Sequence, residues 1–520
     1  MNQPMSNPTS TIKDVERRLR QAGVSNPLVS APRKKARPQR HLAVRTLIRL
    51  RNRVLVLLLC LILVLGGLLR WSTTTASEPY LQAVSGKVGD LLSRPPNPSP
   101  PDPRFGVVDA VAAPQQAAAL PLGWERMVFW WRNIQPDGPD GWNAFATGHD
   151  AGVAIAHAAG RQIVGELIGT PDWAATDTSG HAHAVPAGLY RPYDDRENTW
   201  GRFVARIAGR YAGTIDDWII WNEVNIPKGS RWHTWDGTAA DYARLVKVAS
   251  LAAKAANPHV RIILAGDPYF YDHGALFRSL LRTFAEDPES KAHGSYFDVV
   301  NLHLYGRPGE TAEIVPQYRA AMAKAGIAKP IWIAETNAPP VDSAVSSHRT
   351  GSAVASLDEQ ASFVVQALAI DLASGVAHIA INGMIDPVTL SPADDPLGLL
   401  RADGSPRPAY FAYHAVGTLF AWVNGGSYRP KRRGVDTVVL HGLGTRITVL
   451  WARGPASIVT SIQALGAEAR IYDKYGQGRL VRARHGGYAV TLQGATAHAY
   501  TVRHGDYVIG GSPLIVVEPD

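Results

Sequence analysis

Eight short runs of β-branched and apolar residues recur between residues 105 and 381, and their spacing leaves few folds open. The runs are Phe105–Val111, Arg126–Trp131, Gln162–Ile168, Asp217–Trp221, Arg261–Ala265, Asp298–Leu304, Ile331–Ala334 and Ala377–Ile381. Successive starts average about 39 residues apart, the length of one strand–helix unit in a large (β/α)8 barrel. Helical patterns fill the gaps. Trp200, Phe203, Val204, Ile207, Ala208 and Tyr211 line one face of a helix, as do Tyr242, Leu245, Val246 and Ala249, and Phe363, Val364, Ala367, Leu368 and Leu372. Continuous apolar strands alternating with amphipathic helices predict a parallel sheet covered on both faces. A doubly wound open sheet is the alternative, but no G-x-G-x-x-G follows the first run, which favours the barrel.

Beyond Pro408 the texture changes. Alternating runs at Thr437–Leu440, Arg446–Trp451, Ala469–Tyr472, Tyr488–Leu492 and Pro513–Val517, separated by Gly-rich turns, predict an antiparallel β-sandwich over residues 421–520. The catalytic-type barrel then occupies residues 105–420. Ahead of it, SRPPNPSPPDPR at residues 93–104 carries six prolines and reads as a stiff spacer within residues 76–104. Residues 54–69, VLVLLLCLILVLGGLL, carry no charge. Extended through Trp71 to Thr75, they approach the ~20 residues that cross a hydrocarbon core, so a single transmembrane helix is expected at residues 54–75. Residues 1–53 hold 13 Lys/Arg against two carboxylates, a charge of +11, which leaves the remainder at −2 of the total +9. This asymmetry predicts a cytoplasmic N-terminus and a head on the far side of the cell membrane, with the bilayer as a partner through residues 54–75. A cleaved signal peptide is disfavoured by the length of the basic region.

The same charge arithmetic speaks against nucleic-acid binding, since the body of the chain has no basic excess. The single cysteine, Cys60, excludes a disulfide scaffold and multi-cysteine metal sites. His181 and His183 lie two apart with no third ligand in view, so neither a metal nor another cofactor is expected. No G-x-S-x-G and no Walker lysine motif occurs. Oligomeric state is not indicated.

In such a barrel, chemistry sits at the C-terminal ends of the strands. The fourth run ends in Trp221-Asn222-Glu223, and the seventh in Ile333-Ala334-Glu335. The two Glu residues stand three strand–helix units apart, so strands four and seven bring them to opposite sides of one mouth. Two carboxyl groups flanking a bond are what glycoside hydrolysis requires, one to protonate the leaving oxygen and one to attack or to activate water.

These motifs resemble the signatures of clan A glycoside hydrolases. The stretch Pro192–Asn225, the second-run residues Arg126 and Trp131, and Thr170-Pro-Asp-Trp-Ala174 are similar to family 39, the type that includes β-xylosidases and exopolysaccharide hydrolases. The resemblance covers roughly residues 105–420. It implies a retaining hydrolase acting on a polysaccharide or oligosaccharide, with Glu223 as acid/base and Glu335 as nucleophile. Asn222 would bond a sugar hydroxyl, and Arg126 and Tyr305 would donate to the nucleophile. His303 is expected either at the nucleophile or sugar, or as a buried strand residue. Where the family offers a sugar-stacking Trp on the eighth strand, this chain has Asn382, Met384 and Asp386. Trp142, Trp173, Trp232 and Trp235 are candidate sugar platforms, Asp172, Asp267 and Asp386 candidate hydroxyl contacts, and Trp131 and Asn382 further candidate substrate-binding residues. Two alternatives use the same residues: a non-catalytic polysaccharide-binding barrel of an envelope glycan assembly or secretion system, and a transglycosylase.

Overall fold

Inward-facing side chains on the strands decide what the barrel can hold, and here they change character from one end to the other. The computed structural model of the protein describes residues 100–145, 147–177, 182–342, 355–390, 395–430, 434–496 and 507–520. The expected tail at 1–53, the expected membrane helix at 54–75, nearly all of the spacer and His181 lie outside the described residues. Among the described residues no helix is long and apolar enough to cross a membrane.

All eight runs are strands: β1 (Phe105–Val108), β2 (Trp124–Trp130), β3 (Gln162–Ile168), β4 (Asp217–Ile220), β5 (Arg261–Leu264), β6 (Val300–Tyr305), β7 (Ile331–Asn337) and β8 (His378–Ile381). They form one sheet in the order β5-β4-β3-β2-β1-β8-β7-β6, every pair parallel. Between β5 and β6 the ladder narrows to isolated parallel bridges, Ile263 with Val299 and Asp267 with Leu302. The cylinder is therefore nearly closed.

The N-terminal end of its interior is plugged by Trp124, Val164, Ile219, Ile263, Val299, Trp332 and Ala380, all buried. Trp124 and Trp332 meet at 5.8 Å between ring centroids, and His378 stacks on Trp332 at 4.0 Å. A Cβ on Gly106 would sit 2.3 Å from the Trp124 ring, so that wall position must be glycine. Two residues further along β2 and β3, apolar gives way to charge: Arg126 follows Trp124 and Glu166 follows Val164, and His303 on β6 joins them.

The helices bury the faces their periodicity predicts. Thr199–Arg210 is capped by Asn198, whose side chain accepts the Gly201 N–H, and buries Trp200, Phe203, Val204, Ile207 and Ala208. Ala239–Ala256 and Leu357–Ala373 each begin with a full capping box, Thr238 with Asp241 and Ser356 with Glu359.

The C-terminal region is antiparallel, as expected. A six-stranded sheet combines β9 (Gly425–Pro430), β10 (Val435–Gly442), β11 (Thr445–Ala452), β13 (Glu468–Tyr472), β14 (Gly478–Arg482) and β16 (Leu514–Pro519); β12 (Ile458–Gln463) and β15 (Gly487–Leu492) form a separate pair. Gln366, on the last long barrel helix but one, donates to the carbonyls of Gly510 and Gly511 and accepts the Gly510 N–H, fixing sandwich to barrel.

That same helix buries a carboxyl group, Asp371, which is 1% exposed. Burial pushes it up to about 8 despite the Thr311 hydroxyl. A folded-state value above the unfolded one means that the folded protein holds a proton the unfolded chain has released. Stability therefore falls as pH rises from about 4 to 8, with a slope near 1.4 kcal/mol per pH unit. Asp371→Asn should remove that slope. Denaturant unfolding of the two proteins at pH 5 and pH 8 checks it, and an equal pH dependence in both would contradict the assignment.

Candidate active site

β4 and β7 end with backbone irregularities that aim their carboxylates. After β4, Trp221 has φ 71° and Glu223 φ 43°, the left-handed region that costs a non-glycine residue about 1–3 kcal/mol. Such strain persists only where surrounding contacts enforce it. Here the Trp221 indole donates to the Thr234 carbonyl at 2.9 Å, and the Thr234 hydroxyl donates to the Asn222 carbonyl. In β7, strict alternation with Trp332 and Ala334 would turn Glu335 outward. Instead the pairing skips a residue: Leu302 faces Ile333, but His303 faces Glu335. This bulge turns Glu335 into the barrel. Sequence reading put Glu335 just past its strand; it lies within it.

The two carboxylates converge on His303. Its Nδ1 is 2.9 Å from Glu223 Oε1 and 3.5 Å from Glu335 Oε2, and one carboxylate oxygen of each, with the imidazole nitrogen, lies within 4.8 Å of the others. Facing two carboxylates, Nδ1 carries a proton. The ring fits because residue 266 is glycine; a Cβ there would meet it at 1.9 Å. Burial opposes a charge on His303, but Glu335 and Glu223 outweigh it and raise its pKa.

Around Glu335 the donors are dense. Arg126 Nη2 donates to Oε1, the Tyr305 hydroxyl to Oε2, and Asn382 Nδ2 to Oε2 at 3.0 Å. Asn382 also donates to the Tyr305 oxygen at 2.7 Å, leaving that hydroxyl's proton for the carboxylate. Burial alone would push Glu335 up, yet Arg126, His303 and the Tyr305 hydrogen bond hold it well below the usual carboxylate range. Glu223 pairs with His303 and keeps 16% of its side chain exposed.

A residue missed from sequence completes the cluster. Glu166, inward on β3 and 2% exposed, stands 3.0 Å from Arg126 Nη1. Burial, reinforced by Glu335 and Glu223, pushes it up to about 7 against the pull of Arg126. Its signal was present: an acidic residue in phase with Val164, between Gly165 and Leu167 on a strand with no other charge.

A cavity of about 490 Å³ opens above this cluster, lined by Asn222, Glu223, His303, Tyr305, Glu335 and Asn382 at its base and by Ile226, Trp232, Pro268, Phe270, Tyr271 and Pro339 on its walls. Asn222 Oδ1 is buried there without a hydrogen-bond partner, an acceptor awaiting a ligand. Trp232 is 44% exposed, consistent with a platform, and Phe270 and Tyr271 are exposed aromatic neighbours that sequence reading did not select.

Two expected substrate contacts are corrected. Trp131 is fully buried, stacked on Phe203 at 5.0 Å with its indole N–H on Gln135, so it packs the loops and does not reach the cavity. Trp173 packs edge-on against Trp131 and donates to the Gln135 carbonyl; it too stands apart from the cavity lining. Asp267 and Asp386 are likewise engaged internally, Asp267 by Tyr318 and Asn225, Asp386 by Arg407 at 2.5 Å.

Solved structures with this architecture are known. A family 39 glycoside hydrolase from Bacteroides cellulosilyticus superposes with a TM-score of 0.59 at 14% identity, covering 80% of this chain and 81% of that one. An endoxylanase of family 30 from Clostridium papyrosolvens gives 0.52 at 11% identity, covering 81% and 97%. CelM2, a bifunctional glucanase-xylanase from a metagenome library, gives 0.52 at 14% identity, covering 81% and 96%. The shared property is the fold. For residues 105–420 it is the (β/α)8 barrel that the resemblance to clan A implied. No protein-family profile and no curated protein sequence matches the chain.

If the Tyr305 hydroxyl helps hold Glu335 ionised, its removal must raise the Glu335 pKa. Tyr305→Phe should therefore move the Glu335 carboxyl titration upward in 13C NMR with labelled glutamate. An unmoved titration would show that the hydroxyl does not stabilise the carboxylate.

Proposed function

We propose that the chain is a retaining glycoside hydrolase that cleaves O-glycosidic bonds of a polysaccharide by double displacement. The observation that carries this reading is the pair Glu223–Glu335: carboxylate oxygens within 4.8 Å at the base of an open cavity, in opposite donor environments. Retaining enzymes hold their two carboxyl groups about 5–5.5 Å apart, whereas inverting ones leave about 6.5–9.5 Å for a water. The close spacing favours retention, and the open mouth weighs against a barrel that merely binds.

Glu335, kept anionic by Arg126, His303, Tyr305 and Asn382, attacks the anomeric carbon. Glu223 gives its proton to the departing glycosidic oxygen as that bond breaks. Water, deprotonated by Glu223, then displaces Glu335 from the sugar and restores both groups. Asn222 takes a sugar hydroxyl, so that its buried acceptor gains its partner only with substrate bound. Trp232, Phe270 and Tyr271 offer ring faces to pyranose C–H groups along the walls.

Glu335→Gln should lower turnover of the true substrate by several orders of magnitude, since the covalent route is gone. Glu223→Ala should lose polysaccharide hydrolysis, but should turn over an activated aryl glycoside, whose leaving group departs without an acid, faster when azide is added, since azide needs no proton removed to attack the glycosyl-enzyme. A polysaccharide panel with both variants decides this. Undiminished hydrolysis by Glu335→Gln would reject the assignment.

We also infer that residues 54–75 anchor this head to the cell membrane, N-terminus inside. The uncharged stretch at 54–69 behind a +11 tail supports it. The full-length chain should then stay with membranes through alkaline carbonate washing, and a chain lacking residues 1–75 should not. Release of the full-length chain would contradict the anchor.

A further inference from the structure

The loop after β3 contributes His183, for which spacing in the sequence offered no partners beyond His181. Folding supplies two others from the loop after β4. The Asp236 N–H donates to the His183 carbonyl at 3.0 Å, clasping the loops together. His183 and His233 then meet edge to face at 5.5 Å between ring centroids. One donor atom from each of His183, His233 and Asp236 lies within 4.8 Å of the others. We propose that these three side chains form a binding site for a divalent transition-metal cation of the zinc class, outside the catalytic cluster and independent of the hydrolase reading.

The tautomer of His233 carries the argument. Its Nδ1 is 2.8 Å from the Ile226 carbonyl, which can only accept, so Nδ1 holds the proton. In the neutral ring Nε2 is then a lone pair, and it faces Asp236 Oδ1 at 3.2 Å. Two acceptors at that distance repel unless a proton or a cation lies between them. Zinc bound tetrahedrally at about 2.0–2.2 Å separates neighbouring ligand atoms by about 3.3–3.5 Å, close to the 3.2 Å between His233 Nε2 and Asp236 Oδ1. An Nδ1–H donated to a backbone carbonyl is also the outer contact that orients a metal-bound histidine. Both side chains are largely shielded, His233 at 11% and Asp236 at 15% exposure. Lys228 Nζ lies 2.9 Å from the same Asp236 oxygen, on a side chain that is 71% exposed. It is the built-in competitor, able to swing into solvent when an ion arrives. Water would complete the coordination.

The position gives the ion a purpose. Thr234, next to His233, accepts the Trp221 indole N–H on its carbonyl and donates its hydroxyl to the Asn222 carbonyl. A cation joining the two loops would brace the strained segment that aims Glu223.

Isothermal titration calorimetry of the EDTA-treated full-length chain with zinc sulfate tests this. One equivalent should bind at micromolar affinity or tighter. His233→Ala and Asp236→Asn should each weaken binding at least about tenfold, Lys228→Ala should tighten it, and Glu335→Gln should leave it unchanged. Cobalt(II) added to the unmutated protein should give the strong visible bands of a four-coordinate site, a readout that does not depend on any variant folding. Absence of binding, a weak six-coordinate cobalt spectrum, or binding lost in Glu335→Gln and kept in His233→Ala would each overturn the proposal.

Discussion

A guanidinium sealed inside a barrel sets the terms for everything above it. Arg126 is 4% exposed and meets Glu335, Glu166 and the ring of His303. An isolated charge at that depth would be prohibitive, and removing one partner of such a pair typically costs about 3–5 kcal/mol. The cluster is therefore an all-or-none object. Arg126 needs carboxylates, the carboxylates need Arg126, and His303 fills the gap between the two acids. Burial pushes Glu166 toward its neutral form, so Glu335 receives the larger share of the positive charge.

The apolar plug beneath makes this economy possible. Trp124 and Trp332 fill the lower barrel and keep water from reaching the charges from below. Above, the cavity admits solvent and ligand to Glu223 and to one side of Glu335. Two acids a few ångströms apart thus live in different media: Glu335 is gripped by Arg126, Tyr305, Asn382 and His303, while Glu223 meets His303 and the open cavity. That difference, more than the presence of two carboxylates, suits them to different halves of one reaction.

Much of the architecture was legible in the sequence because burial on both sides of a parallel strand leaves an unbroken apolar run, and eight such runs survive unobscured. The strand-end acids were legible for the same reason, since each closes a run. Less could be read where backbone geometry overrides alternation. The bulge opposite His303 that turns Glu335 inward, and the positive φ of Trp221 and Glu223, have no local signature because the side chains concerned are ordinary for their positions. Trp131 misled for a related reason: one residue past β2, a short helical turn carries its ring outward into the Trp200–Phe203 packing, away from the mouth. His233 and Asp236 were invisible beside His183 because their meeting depends on two loops about 50 residues apart, which only the folded barrel brings together.

The central claim is that Glu335 attacks sugar carbon directly, with Glu223 too close to leave room for a water between. Proton NMR of the first product formed from a polysaccharide substrate reads this out, because the anomeric signal reports configuration before mutarotation scrambles it. The account predicts the same configuration as the bond that was cleaved. A first product of inverted configuration would contradict it.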